Sequence, residues 1–272
     1  MDDQIVAIYC LCDDVLKAFH HHEDPQREMS DAEVMTTAVV AALYYRGNQQ
    51  QARTFLASHG YMPRMLSKSR FNRRWHTIGP WFLTLFEVLG SVFKQLNAES
   101  VYVIDSFPIA ACDNIRIPRA RLYQDEHFRG YIASKRRYFY GLRIHLMVTA
   151  QGEPVEVFLA PGAEADVRAL QRFAFDLPPG STVYADSAFT HYWVEDVMQE
   201  AQIALQPIRK KNSKRPVAPA LAYLQARGRK IVETTGSLIE RLLPKSIHAV
   251  TARGFELKVM LFVLACSMSF VV

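Results

Sequence analysis

Two aspartates stand at the ends of two separate apolar runs in the sequence. Residues 101–104 form a β-branched and aromatic run that ends at Asp105, and residues 181–185 form a similar run that ends at Asp186. Runs of this kind are typical of buried strands, and a carboxylate at the mouth of a core strand is costly unless a cation meets it. The repeated pattern therefore predicts that the two carboxylates converge on one metal site.

The ligand chemistry of such a site favours Mg²⁺ or Mn²⁺, because oxygen ligands without a nearby cysteine or histidine suit hard cations better than zinc. Two such ions, roughly 3.5–4 Å apart, can activate an attacking oxygen and stabilise a departing one in phosphodiester displacement. A third carboxylate is needed for the second ion. Glu233 and Glu240 are both candidates, because their spacing in the last long helical stretch puts them on one helical face. Glu233 directly follows a basic segment and is the preferred candidate.

Other groups with reactive chemistry are given structural interpretations. Ser106 and Ser187, which follow the two aspartates, are candidate nucleophiles for a covalent route. Neither is expected to act in this way, because the sequence has no G-x-S-x-G elbow and no evident general base for either serine. Asp113, Asp166 and Asp196 are interpreted as structural acids.

Composition bounds the class of protein. The chain has 272 residues, half of them hydrophobic, enough for one large domain or two smaller ones. Four scattered cysteines argue against a disulfide scaffold or a zinc module and indicate a reducing compartment. The acidic first residues predict no secretion signal. The longest apolar run, 259–272, is shorter than the roughly 18 residues that a membrane span needs, so a packed terminal helix is expected.

The charges are segregated along the chain although the net charge is only +5. Three segments contain no acid: 34–86 holds seven basic residues, 127–152 holds five and 201–232 holds eight. Solvated surfaces usually mix the two signs. The segregation predicts a polyanionic partner, and nucleic acid is the commonest one.

Residues 1–97 read as helical, with a capping box at Ser30 and Glu33 before an apolar run. Several short helices ending in a basic one, near residues 67–75, resemble a helix-turn-helix module, and residues 1–97 are predicted to bind DNA. The residues expected to face DNA are Arg70, Arg73 and Arg74. An alternative left open is that Phe71 and Trp75, one helical turn apart, simply make this helix part of a core.

From residue 101 the periodicity changes to that of strands. Strands are predicted at 102–105, 142–149, 155–159, 182–186 and 203–207, with a hairpin turn at Gln151-Gly152. Helices are predicted at 164–175, 191–202 and about 218–243, and an interruption of the last one at Gly228 is left open. This order of elements, β-β-β-α-β-α-β-α, is that of a ribonuclease-H-like, retroviral-integrase-like fold. Residues 98–272 are therefore predicted to be an α/β catalytic domain with a basic insert loop at 208–217 and a C-terminal helix.

Two basic segments of this second part, residues 135–143 and 209–215, are predicted to contact DNA. In the first, basic side chains would neutralise phosphates while tyrosines stack on exposed bases, although one face of this strand could be core. The second segment is too basic and polar to pack, and it is expected to be ordered by phosphates. The predicted contacts are Lys135, Arg136, Arg137, Tyr138, Tyr140 and Arg143 in the first segment, and Arg209, Lys210, Lys211, Lys214 and Arg215 in the second.

Four segments of the sequence, 102–108, 130–141, 184–189 and 232–235, resemble bacterial insertion-sequence transposases of the DDE superfamily, with the insertion-sequence 982 family as the nearest match. The block 134–141, Ser-Lys-Arg-Arg-Tyr-Phe-Tyr-Gly, is the most specific part. The resemblance implies a catalytic, metal-binding triad of Asp105, Asp186 and Glu233, two Mg²⁺ or Mn²⁺ ions, and a cytoplasmic, nucleoid-associated protein.

One departure from the family concerns the helix that carries the glutamate. The family usually has a bulky aromatic three residues after that glutamate, where this chain has Gly236. A glycine in a helix costs roughly 1 kcal/mol relative to alanine. The helix is therefore expected to be loosened.

The function expected from the resemblance is cleavage of insertion-sequence ends followed by transfer of the freed 3′-hydroxyl to target DNA. The expected partners are double-stranded DNA, as terminal inverted repeats and as target, and further copies of the chain in a homodimer or larger assembly; no membrane is expected. Two alternatives are a catalytically inactive, transposase-derived DNA-binding protein and a structure-specific nuclease that cleaves without joining.

Overall fold

The computed structural model describes residues 1–132, 135–210 and 212–272, which fold into two compact units. The first unit comprises Met1–Leu89 and Leu238–Val272, and the second comprises Gly90–Ser237. The predicted division at residue 97/98 assigned functions to two parts of the chain, and that assignment stays a prediction. The two packing units do not follow this division, because Leu238–Val272 pack in the first unit.

The first unit is helical. α2 begins at the predicted capping box, where Ser30 Oγ accepts a hydrogen bond from the Glu33 amide at 3.1 Å and Glu33 accepts one from the Ser30 amide at 2.6 Å. Phe71 and Trp75 of α4 are buried, so their interpretation as core residues is confirmed. The helices are α1 (Asp2–Ala18), α2 (Asp31–Tyr45), α3 (Gln49–Ser58), α4 (Lys68–Thr77), the start of α5 (Gly79–Leu96) and α9 (Ala252–Met268).

The predicted packed terminal helix is α9. It is buried along most of its length and packs against α2, because a helix that is apolar nearly all round needs cover on every side. Within the described part of the chain, no helix combines the length and apolarity that crossing a bilayer would require.

The second unit is built on a mixed sheet. β1 runs antiparallel to β3 and parallel to β5, β5 runs parallel to β6, and β3 also pairs antiparallel with β2 and β4. The strands are β1 (Val101–Ala110), β2 (Arg129–Ile132), β3 (Arg137–Thr149), β4 (Pro154–Pro161), β5 (Thr182–Ala185) and β6 (Ala204–Pro207), and the helices are α6 (Asp166–Ala169), α7 (Tyr192–Glu200) and α8 (Pro219–Leu242), whose last turn extends beyond the unit.

The elements agree with the predicted order except in three places. The hairpin of β3 and β4 around Gly152 is confirmed, but the short strand β2 was not predicted. The helix predicted at 164–175 is shorter: α6 is a single turn, continued by a 3-10 turn at Leu170–Arg172. α8 runs without interruption through Gly228 and Gly236, so the predicted break and loosening are not observed.

Candidate active site

Asp105 and Asp186 lie at corresponding positions on neighbouring strands. β1 and β5 are parallel, and their last paired residues are Ile104 and Ala185, the residues directly before the two aspartates. Adjacent strands are about 4.8 Å apart, so the register brings the two carboxylates to one edge of the sheet. Both line one small crevice, together with residues of α8.

Each aspartate is oriented by the residue that follows it. Asp105 Oδ1 accepts a hydrogen bond from the Ser106 amide at 2.8 Å, and Asp186 Oδ1 accepts one from the Ser187 amide at 2.6 Å. Asp186 thereby caps the 3-10 turn Ser187–Phe189. An amide donor to a carboxylate stabilises its charged form and fixes its direction.

Asp105 is held in an environment that opposes its charge. The pKa of Asp105 is raised from 3.8 to about 6, chiefly by burial and in smaller part by the nearby Asp186 and Asp166 carboxylates, while the Ser106 amide and Arg229 act to lower it. A carboxylate in this state has a strong electrostatic demand for a nearby cation.

α8 supplies the third acid and a cation. Arg229 Nε donates to Glu233 Oε1 at 2.7 Å, one helical turn away, and Arg229 Nη1 contacts Asp186 Oδ1 at 3.4 Å. The pKa of Arg229 is raised, chiefly by its hydrogen bond to Glu233. Arg229 therefore connects Glu233 to Asp186, whereas Glu240 belongs to the segment that packs in the first unit.

The position of α8 on the sheet is set by its buried face. Gln225 Nε2 donates to the carbonyls of Gln206 and Pro207 at 3.1 and 3.2 Å. At Gly228 the helix comes so close to the sheet that an added Cβ would lie 3.1 Å from the Tyr184 ring and 3.3 Å from Val103. These contacts fix the height at which Arg229 and Glu233 meet the strand ends.

The donor set fits a hard divalent cation. Asp105, Asp186 and Glu233 offer only carboxylate oxygens, the ligands that Mg²⁺ and Mn²⁺ prefer. The ligand oxygens of these three acids are not all within 4.8 Å of one another, since Arg229 lies between Asp186 and Glu233. Among the described residues, the one group of three possible ligands that is this close together is His21, Glu23 and Asp31.

A second carboxylate close to Asp105 was interpreted from the sequence as structural. Asp166 Oδ1 accepts a hydrogen bond from Ser106 Oγ at 2.6 Å, and Arg143 Nη1 donates to the same hydroxyl at 3.3 Å. Ser106 thus has a carboxylate partner that the sequence did not reveal. Its hydroxyl joins Asp166 and Arg143 beside the site, and no sequence signal links these three positions.

His145 lies behind this network and is fully buried. Neither of its ring nitrogens has a hydrogen-bond partner among the described residues, and Nδ1 is 3.9 Å from Asp166 Oδ1. Burial lowers the pKa of His145 to about 3, helped by Arg143 and Arg172, so the imidazole is neutral. It stacks on Phe158 at 4.9 Å between ring centroids and serves as a core aromatic.

Residues 135–140, which lead into β3 and form its first residues, include exposed basic side chains. Lys135, Arg136 and Arg137 are exposed and take part in no ion pair that the described residues form. Arg143, in contrast, donates to backbone carbonyls of β2 and of the loop after β4, and so belongs to the scaffold.

The two tyrosines of this segment face away from the core, because Phe139 between them is the buried residue. Tyr138 is half exposed, and the Arg129 guanidinium lies over its ring at 4.2 Å. The Tyr140 hydroxyl donates to Glu126 at 3.3 Å. Of the two, Tyr138 has the ring more open to a stacking partner.

The loop after β6 differs from the prediction that it is too basic to pack. Arg209 makes two hydrogen bonds to Glu195, at 2.8 and 2.5 Å, and Arg215 pairs with Asp196 at 2.8 Å. Both guanidinium groups also approach the Tyr192 ring. The prediction was wrong for these arginines because α7 carries acids that face the loop. Lys210 and Lys214 are exposed, and Lys211 lies outside the described residues.

Of the three arginines predicted on α4, one is mainly structural. Arg73 is exposed, and Arg70 pairs on the surface with Glu28 at 2.9 Å. Arg74 Nε donates to the buried Asp31 at 3.2 Å, and a second guanidinium nitrogen also contacts this carboxylate. Of these three arginines, only Arg73 forms no ion pair within the described residues.

The group of His21, Glu23 and Asp31 is an ion network of the first unit. His21 Nε2 donates to Asp31 Oδ2 at 2.7 Å, and the Asp31 amide donates to Glu23. Arg74 pairs with Asp31, and Arg27 pairs with Glu23. Because arginines already compensate both acids, the proximity of these ligand atoms is explained without a metal.

The fold and the site define an α/β protein with a mixed sheet and a carboxylate centre at its strand ends. The chain belongs to the transposase DDE domain family, whose sequence profile matches residues 95–246. It is a DDE-type transposase, a class of enzyme that cuts and transfers DNA. Among solved structures, the chain is similar to the cryo-EM structure of a piggyBac transposase synaptic complex with hairpin DNA, at 11% sequence identity and a TM-score of 0.44, over 99% of this chain and 73% of that chain. No curated protein sequence gives a significant match.

Proposed function

We propose that this transposase uses Asp105, Asp186 and Glu233 to hold two Mg²⁺ or Mn²⁺ ions in a ribonuclease-H-like domain. The observation that carries the proposal is the register of β1 and β5, which places Asp105 and Asp186 next to each other. The order of the paired strands, β4-β3-β1-β5-β6, supports the ribonuclease-H-like assignment, with β1 central.

The residues of the site act by orientation and charge. The Ser106 and Ser187 amides hold the two aspartates in fixed directions, and α8 brings Glu233 to the same edge of the sheet through the packing of Gln225 and Gly228. When bound, divalent ions would supply activation of the attacking oxygen and stabilisation of the leaving oxygen in phosphodiester displacement.

The proposed substrate is the end of an insertion sequence of the insertion-sequence 982 type. The enzyme nicks this end with water, and the freed 3′-hydroxyl then attacks target DNA in line, so one phosphodiester bond breaks as another forms. Among the residues predicted to bind DNA, we assign phosphate contacts to the exposed ones that form no ion pair within the described structure, which are Arg73, Lys135, Arg136, Arg137, Lys210 and Lys214. Residues 1–97 are proposed to bind terminal repeats, and a dimer or larger assembly to hold two ends together.

A strand-transfer assay tests the function. Labelled duplexes that end in the inverted repeats flanking the gene are incubated with the protein, supercoiled plasmid and Mg²⁺ or Mn²⁺. Wild type is expected to yield nicked ends and joined product. Asp105→Asn is expected to lower both by at least about a thousandfold, because it removes a proposed ligand of the divalent ions that would stabilise the reacting phosphate.

Asp113→Asn is the matched control, since it makes the same chemical change at an exposed acid of the second unit. Nicking without joining would identify a structure-specific nuclease. Binding without nicking would identify a catalytically inactive DNA-binding protein. Either result contradicts the proposed function.

A further inference from the structure

Arg229 occupies the oxygens that the proposed metal site needs. Its Nε bonds Glu233 Oε1 at 2.7 Å and its Nη1 contacts Asp186 Oδ1 at 3.4 Å. Within the described residues, Arg229 is the only cation that forms an ion pair with either acid. A guanidinium stays charged at any ordinary pH, so the acids of the site are partly neutralised whenever Arg229 is in this position.

A guanidinium and a divalent ion compete for these two carboxylates, because Arg229 already uses one oxygen of each. Two cations at one carboxylate pair repel each other, and each lone pair serves one partner at a time. We propose that Arg229 is a positioning residue that balances the charge of the site before metal binds, and that it must leave Asp186 and Glu233 for a divalent ion to bind there. This inference rests on the proposed function.

The contacts of Arg229 are suited to such an exchange. Its side chain is 47% exposed, and its contact with Asp186 is at the long limit of a hydrogen bond. Exposed ion pairs of this kind are individually weak. The guanidinium therefore offsets the repulsion among the acids, but it does not prevent a more strongly bound cation from replacing it.

The displaced guanidinium has a defined use. It remains one helical turn from Glu233, beside the edge where the DNA phosphates would lie, and arginine binds phosphate oxygens in a bidentate fork. Metal binding would then free a phosphate-binding group, and phosphate binding would keep that group away from the acids. By linkage, each ligand would strengthen the binding of the other by the same factor.

A Mn²⁺ titration of the full chain without DNA tests the exchange, with free Mn²⁺ read by its EPR signal. Arg229→Gln is expected to bind Mn²⁺ about three- to tenfold more tightly than wild type, because two weak competing ion pairs are lost. Arg227→Gln is the control: it removes the same charge from the same helix, and Arg227 forms no ion pair in the described structure. It is expected to change affinity less than about twofold, since its charge is exposed and screened.

A second measurement follows the side chain itself. The Arg229 Nε–H resonance, assigned by its loss in Arg229→Gln, should shift on adding Mg²⁺ to wild type and should not shift in Asp186→Asn. Equal or weaker Mn²⁺ binding by Arg229→Gln, or equal tightening by Arg227→Gln, would overturn the inference while leaving the metal site intact. If Asp186→Asn and Glu233→Gln bind Mn²⁺ as well as wild type does, the metal site of the proposed function is wrong and the exchange falls with it.

Discussion

Asp105 combines burial with neighbouring negative charge, and its ionisation therefore acts against the folded state. Its pKa rises from 3.8 to about 6, mainly through burial. Because the folded protein binds this proton more tightly than the unfolded chain, the free energy of unfolding falls as pH rises from about 4 to about 6. Above that range the penalty is constant, on the order of 2–3 kcal/mol.

We expect Asp105→Asn to remove this penalty in the absence of metal. Urea unfolding in EDTA should show the variant gaining stability relative to wild type between pH 4 and pH 7, by on the order of 2 kcal/mol. Titrating groups away from the site act equally in both proteins, so the difference reports Asp105 together with its coupling to Asp186 and Asp166. Parallel stability curves across this range would contradict the assigned environment of the carboxylate.

The sequence predicted Asp105 and Asp186 because a charged residue at the end of an apolar strand is a local pattern. Arg229 could have been found in the same way, since arginine and glutamate at positions i and i+4 of a helix commonly pair. Asp166 could not, because its link to Ser106 joins the start of α6 to β1 and depends on tertiary packing. Local patterns thus reveal the acids and the Arg229–Glu233 pair, whereas the contact of Asp166 with Ser106 is revealed only by the structure.

The packing of α8 on the sheet depends on two glycines with different surroundings. A Cβ at Gly228 would meet Tyr184 and Val103 at 3.1–3.3 Å, tighter than ordinary contact. A Cβ at Gly236 would lie 3.6 Å from the Phe107 ring, which is ordinary van der Waals contact. The first glycine is therefore needed for the approach of the helix, and the second is not.

Gly228→Val is expected to lower the free energy of unfolding by about 1–3 kcal/mol through overpacking and to weaken Mn²⁺ binding, because it pushes Glu233 away from the strand ends. Gly236→Ala, the matched change in the same helix, should instead stabilise the protein by up to about 1 kcal/mol, since alanine is the better helix former. Thermal unfolding and the Mn²⁺ titration measure both effects. A stabilising effect of Gly228→Val, or a destabilising effect of Gly236→Ala, would show that α8 is not held as described.

Elements with strong periodicity were predictable, and those held by tertiary contacts were not. β3 and β4 have long apolar alternation and a glycine turn between them, so their hairpin follows from sequence. β2 is four residues long, begins with Arg129 and Gly130, and gains its order by pairing with β3. The predicted helix at 164–175 was too long because Leu170 and Phe173 are buried without helical geometry beyond a short turn.

The distribution of charge over the whole chain correctly indicates where basic residues concentrate, but not which of them are available. Arg74, Arg209 and Arg215 are engaged by Asp31, Glu195 and Asp196. Composition does not distinguish these arginines from exposed ones, because the acids that pair with them in the fold are not marked by any local sequence pattern. Under the proposed function, the exposed Lys135, Arg136 and Arg137 remain available to DNA.

Neutralising Lys135, Arg136 and Arg137 together with glutamine is expected to lower the slope of log affinity for DNA against log salt by about two to three, because each phosphate contact contributes about 0.9. Fluorescence anisotropy at several salt concentrations measures the slope. The charge-conserving set Lys135→Arg, Arg136→Lys and Arg137→Lys should keep it near the wild-type value. An unchanged slope in the glutamine variant would remove these residues from the DNA contact.

The parallel pairing of β1 with β5 also constrains when a working enzyme can exist. Val101 pairs with Thr182, and the residues between them include the whole β3–β4 hairpin, so this pairing closes a long loop and forms later than the hairpin does. Glu233 leaves the ribosome later still. Under the proposed function, a chain still being translated beside its own gene carries Asp105 without its partner acids, and it cannot nick the template before synthesis has passed α8.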